Sequence, residues 1–173
     1  MNEIPDEQTC LKLLEQAGCS PDVIGHCQAV CDLAVRIAEK ASANISLVIA
    51  GALLHDIGRS QSHGIDHAIV GAQIARDLGL SEAIVSIIKS HIGAGLSAEV
   101  AVSLGLPKKS FIPKTLEEKI VCHADNLIDD CKRQPIEHEV ERALHEGHKE
   151  YAIRLTQLHK ELCDLCGMEI NDI

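Results

Sequence analysis

Apolar positions recur at three- and four-residue spacing along most of the chain, and strand-like alternation is scarce, so the pattern predicts helices joined by tight turns. Ser20–Pro21 has the form of an N-cap followed by proline at the first helical position, and it opens a long amphipathic helix to about Ala41. The segment Ile45 to Ile57 is apolar around most of its circumference and stops at Gly58; it reads as a buried central helix closed by a left-handed glycine. Asp66 is placed to cap a helix ending at Gly79, Ser81 one ending before Gly93, and Ser97 a short one ending near Gly105. Leu106 to Lys114 carries two prolines and three lysines and reads as a loop, after which Thr115 and Glu118 have capping-box spacing. Beyond Pro135 a charged helix is expected to about Cys166, with a break at Gly147. The expected fold is all-α, a helical bundle in which residues 1–173 form a single domain.

Composition narrows this picture. With 173 residues and 46% hydrophobic content the chain can bury an ordinary core, but it has one Tyr, one Phe and no Trp, so that core must be aliphatic. Base stacking would fall to Phe111 or Tyr151, with Phe111 favoured by its lysine-rich loop. A net charge of −10 argues against an extended basic face that coats nucleic acid. The first twenty residues mix Glu3, Asp6, Glu7 and Lys12 among apolar positions, so no membrane segment is expected and the cytoplasm is the default location. The eight cysteines are then read as reduced, and mostly as small core residues.

The chemistry lies in ionisable residues on apolar stripes. His26 precedes Val30, Leu33 and Ile37 on one helical face; Val48 and Ala52 lead to His55; His67 begins the stripe Val70, Gly71, Ile74, Leu78. Ile84 and Ile88 lead to His91, and Val121, Asp125 and Ile128 share a face. With Asp56 beside His55, four imidazoles and two carboxylates point inward. Burying them unpartnered is costly, and convergence on metal satisfies all of them together.

The ordered set His26, His55–Asp56 in "ALLHDIGR", His67 in "DHAIVGA", His91 in "KSHIGAG" and Asp125 in "HADNL" resembles the HD superfamily of metal-dependent phosphohydrolases, in its six-ligand, two-metal subset. The resemblance covers roughly residues 20–132 and leaves about 135–167 as a C-terminal helical extension. It implies that His26, His55, Asp56 and Asp125 hold one metal, and that His67 and His91 hold a second with Asp56 bridging. Such a cluster carries a local charge of about +2, enough to attract phosphate to an acidic protein. Imidazole with carboxylate suits Fe, Mn, Ni, Co or Zn better than Mg. Two ions lower the pKa of a water for in-line attack on a small phosphorylated metabolite, foremost a nucleotide.

Around this set Asp56 is the catalytic centre, Arg59 a phosphate clamp, and His63 a candidate proton donor to the leaving oxygen. Asp129, one helical turn past Asp125, is a candidate ribose contact, and Lys108, Lys109 and Lys114 are candidates for steering an anionic substrate. Each has a plainer reading as a solvated surface charge. His123 falls on the opposite side of its helix from Asp125. Cys163 and Cys166 have the spacing of half a zinc site, but no second such pair accompanies them; core thiols beside surface imidazoles are the simpler reading. The same six ligands serve di-iron oxygenases of this superfamily, and a catalytically silent nucleotide or metal sensor is a third class. The long C-terminal helix is free in principle to pack on its own core or to pair with a second copy.

Overall fold

The computed structural model describes residues 4–173. Its first element is one that the apolar pattern does not single out: Asp6 accepts a hydrogen bond from Thr9 N at 2.8 Å and starts α1 (Glu7–Ala17), which buries Cys10 and Leu14. Ser20 then caps α2 (Pro21–Ala41) through Val23 N, with proline at the first turn as expected. Asn44 caps α3 (Ile45–Leu54), which packs against α1 and α2. The chain continues with α4 (His67–Asp77), α5 (Glu82–Ser90), α6 (Ala98–Ser103) and α7 (Leu116–Asn126). A two-stranded antiparallel hairpin, β1 (Ile128–Asp129) with β2 (Lys132–Arg133), precedes α8 (Ile136–His145) and α9 (Lys149–Cys166). The all-α expectation holds, the hairpin being the one sheet among the described residues.

α3 is the central helix. It also packs on α5 and α7, and Val48, Ala52, Leu53 and Leu54 are at most 1% exposed. Burying each larger aliphatic side chain contributes about 1.5–3 kcal/mol, against about 0–1 kcal/mol for a surface ion pair such as Arg76–Glu82, so the core and not the surface charge holds the bundle. The main core draws on every helix except α6, which packs with Leu96, Leu106 and Phe111 in a smaller cluster. α9 buries Leu155, Leu158 and Leu162 against its own chain, on α2, α7 and α8. Gly147, at φ 83°, makes the expected break between α8 and α9. No helix among the described residues is long and apolar enough to cross a membrane.

Four local expectations need correction. α3 ends at Leu54 instead of Ile57, because His55 and Asp56 form a turn that leads into a 3-10 segment, Ile57–Ser60. Gly58 is not a left-handed cap. A Cβ there would overlap the backbone carbonyl of His67 and sit 2.6 Å from Gly71 N, so glycine is needed for the approach of this segment to α4. Asp66 makes no side-chain cap to α4; its Oδ1 instead accepts from Ser62 Oγ at 2.6 Å. Thr115 does cap α7, yet Glu118 reaches back to Lys114 N at 2.8 Å, one residue earlier than a reciprocal capping box requires.

Candidate metal centre

Four helices and the turn after α3 bring the six predicted ligands together, because the stripes that carry five of them face the same interior point and Asp56 follows His55 in the turn. His26 comes from α2, His67 from the first turn of α4, His91 from the end of α5, Asp125 from the last turn of α7, and His55–Asp56 from the turn. Each imidazole holds a backbone carbonyl with Nδ1: His26 with Asp130 at 2.6 Å, His55 with Ala52 at 2.7 Å, His67 with Gly64 at 2.8 Å and His91 with Ile88 at 2.6 Å. A carbonyl only accepts, so in all four rings Nδ1 carries the hydrogen and Nε2 of the neutral ring is a bare lone pair. Those lone pairs converge. His26 Nε2 is 2.9 Å from Asp125 Oδ1, His55 Nε2 3.4 Å from the same oxygen, and His67 and His91 Nε2 are 3.1 and 3.4 Å from Asp56 Oδ1.

This is a cage of acceptors. His67 Nε2 and His91 Nε2 face each other at 2.9 Å, and His55 Nε2 is buried with no hydrogen-bond partner. Acceptors packed against acceptors are relieved by a proton or a metal ion among them, and imidazole orientation by carbonyls is the usual support of a metal-ligating histidine. Potential ligand atoms of His26, His55 and Asp125 lie within 4.8 Å of one another, as do those of His55, Asp56 and His91. The donor set fits a transition-metal ion.

The electrostatics agree. Burial alone would raise the pKa of Asp56, but the imidazoles of His55, His67 and His91 around it hold the carboxyl far below the usual range. Asp125 is likewise held down against its burial, by His55 and His26. Burial pushes the pKa of His91 down and favours the neutral, ligating form. Burial opposes a charge on His55 as well, yet Cys27, Asp56 and Asp125 draw positive charge to its ring.

The cage opens on a cavity of about 540 Å³ lined by Asp22, Val23, His26, Asp56, Arg59, Asp130 and Cys131. Arg59 stands on that wall, donating from Nε to Asp56 Oδ1 at 3.3 Å and from a terminal nitrogen to the His63 carbonyl at 3.0 Å. His63 is exposed and does not line this cavity. Lys108 and Lys109 are exposed and do not line it, and Lys114 lines a separate small cleft with Glu118. Phe111 is 6% exposed in the smaller apolar cluster, so its ring packs there and is not offered for stacking. α7 stops at Asn126, which places Asp129 on β1 and not on a helix; it borders a polar cleft of about 260 Å³ with Asp125, Gln134, Glu139 and Arg142.

The hairpin is what sequence reasoning missed. Its turn residue Asp130 adopts φ 52° and presents the carbonyl that orients His26. The paired aspartates at 129–130 were the available signal, since Asp tolerates the left-handed region better than most residues. His123 does point away from the cage, as its position on α7 predicts, but it is fully buried, with Nε2 2.9 Å from His159 Nδ1. Burial, with His159 and Arg133 nearby, pulls its pKa down to about 3. The folded state therefore refuses a proton that the unfolded chain accepts below its ordinary value of about 6.5. Stability should fall with pH between those values, by about 1.4 kcal/mol per unit for one such group. Urea titrations of His123→Gln should show a pH slope shallower than the parent's by about one proton; equal slopes would contradict this.

Comparison with known proteins places this geometry. A tRNA (cytidine(56)-2'-O)-methyltransferase of Thermoplasma volcanium is 49% identical over 170 residues, 98% of this chain and 50% of that protein. The chain thus spans about half the length of that relative. An uncharacterized protein of Methanocaldococcus jannaschii is 52% identical over 124 residues, 69% of this chain and 73% of its own. The fold is like that of the HD domain of the L. monocytogenes phosphodiesterase PgpH in complex with cyclic-di-AMP, with a TM-score of 0.56 at 18% identity over 91% of this chain and 95% of that one. Residues 23–129, which carry all six cage residues, match the HD domain, and the chain belongs to the HD domain family.

Proposed function

We propose that the chain is a metal-dependent phosphohydrolase that cuts a phosphodiester or related phosphate bond in a small nucleotide. The observation that carries this is the set of four carbonyl-locked imidazoles whose Nε2 lone pairs meet two carboxylates beside an open cavity. His26, His55, Asp56 and Asp125 would hold one divalent ion, and Asp56, His67 and His91 a second. When bound, such ions polarise a phosphoryl oxygen and lower the pKa of water from 15.7 to about 7. Arg59 binds and orients the phosphate from the cavity wall, while its bond to Asp56 keeps both groups in place. The cavity has the size of a small-molecule site, and the net charge of −10 favours a small substrate over a long polyanion. A nucleotide is the favoured class because the HD domain of PgpH takes a cyclic dinucleotide. The methyltransferase named for the Thermoplasma relative belongs to a protein twice this length, and no part of the cage suits methyl transfer.

The test is cleavage of linear and cyclic dinucleotides in ¹⁸O-water, without oxygen, after loading with Mn²⁺ or Fe²⁺. Hydrolysis should place one water oxygen in the product phosphate. Turnover that needs O₂ and takes its label from O₂ would establish the oxygenase chemistry instead. Tight nucleotide binding with no turnover under either atmosphere would establish a sensor. Arg59→Ala should raise KM about tenfold, the scale of one lost charge-assisted hydrogen bond, with a smaller change in kcat. An unchanged KM would remove Arg59 from phosphate binding.

A further inference from the structure

Away from the cage, the C-terminal segment turns back onto α9 and assembles three unlike ligand atoms. His159 and Cys163 are four residues apart on α9 and so share a face. Glu169, which precedes a final 3-10 turn (Ile170–Asp172), closes over them: its Oε1 is 2.5 Å from His159 Nε2 and 3.5 Å from Cys163 Sγ. Potential ligand atoms of the three residues lie within 4.8 Å of one another. We propose that His159, Cys163 and Glu169 form a second, independent metal site for a borderline-soft divalent ion of the Zn²⁺ kind, which fastens the C-terminal turn to α9.

Several features suit a ligand set better than a lone ion pair. The second ring nitrogen of His159 is engaged by His123, so the imidazole is oriented from behind, as zinc-bound histidines are. His159 Nε2–H donates to Glu169 Oε1; an ion that displaces this proton meets a nitrogen lone pair aimed at the carboxylate, with His159 Nδ1–H then free to donate to His123 Nε2. Cys163 Sγ accepts the backbone N–H of Ile170 at 3.4 Å and donates toward Glu169 Oε1 at 3.5 Å, so its proton is a second one that an ion would displace. Nitrogen, sulfur and oxygen from three residues match zinc's preferred donors and leave a fourth position. His159 and Glu169 border a cavity of about 380 Å³ whose other walls include Glu137, Val140, Glu141 and Thr156, which gives an ion a way in and whose glutamates attract a cation. Cys166 is not part of the site; its Sγ points to the Ile37 carbonyl at 3.8 Å. The zinc-like spacing of Cys163 and Cys166 therefore misleads, and the useful pair is His159 with Cys163.

The cage offers only nitrogen and oxygen, which makes the two sites separable. Full-length protein loaded with Co²⁺ should show a sulfur-to-cobalt charge-transfer band. Cys163→Ser should abolish it, while Cys131→Ser, which removes the exposed thiol beside the other cavity, should leave it. Zinc analysis should find one ion per chain fewer in Cys163→Ser than in the parent, with nucleotide turnover unchanged. Glu169→Gln lies on the exposed turn, where it leaves the core intact, and should weaken zinc retention at least tenfold. A parent without the band, a band that survives Cys163→Ser, or equal zinc content in parent and variants would overturn the proposal.

Discussion

Asp56→Ala is expected to lower turnover by about a thousandfold or more, the scale on which groups that act as one unit with a metal fail together. Asp56 is the residue on which the cage closes. Its carboxylate lies within 3.7 Å of His55, 3.1 Å of His67, 3.4 Å of His91 and 3.3 Å of Arg59, so its loss removes the negative centre from four groups at once. Asp56→Asn keeps the shape while removing the charge, and separates catalysis from folding. Its helix content should match the parent's by circular dichroism, while metal content and phosphate release both collapse. Parent-like rates in either variant would take Asp56 out of the mechanism.

Gly58→Ala is expected to destabilise the protein by about 3 kcal/mol or more, and so to lower Tm by roughly 10 °C in a chain of this size. The obstacle is backbone and not a movable side chain. The added methyl meets the His67 carbonyl and Gly71 N, both fixed in α4, so the 3-10 segment must part from that helix. This segment follows Asp56 directly and α4 begins with His67, so separating them also pulls two cage residues apart. Activity should therefore fall together with Tm. By contrast Gly79→Ala, at φ 72° with open space around the added methyl, should cost only local backbone strain and spare the site. A Gly58→Ala protein with parent-like Tm would contradict the close approach.

The convergence of the six cage residues was legible because five of them extend apolar stripes at helical spacing, such as His26 above Val30 and Ile37 or His91 after Ile84 and Ile88, and Asp56 follows His55. Helix periodicity states which way a side chain points, and six inward-pointing ionisable groups in one small bundle have few alternatives to a shared cation. The same reasoning separated His123 from Asp125 on α7. It failed where function depends on irregular backbone. The carbonyls of Ala52, Gly64, Ile88 and Asp130 that lock the ring tautomers have no side-chain signature. Gly58 reads identically in sequence whether it is needed for positive φ or for closeness, and only the packing of α4 distinguishes the two. Composition is silent on direction: the Phe111 ring packs inward in the smaller apolar cluster, and the three loop lysines do not line the cavity beside the cage. His159 lies on a helix rich in charge, which hides from the sequence that its face packs against His123 and the returning C-terminal turn.

On the proposed function, the six-residue cage holds divalent metal. Protein isolated without chelator and crystallised as purified can be measured by anomalous diffraction above and below the absorption edges of Mn, Fe, Co, Ni and Zn. Two anomalous peaks are expected within the cage, one contacted by His26, His55 and Asp125, the other by His67 and His91, with Asp56 touching both. Protein that hydrolyses its substrate while the cage shows no anomalous density would contradict it.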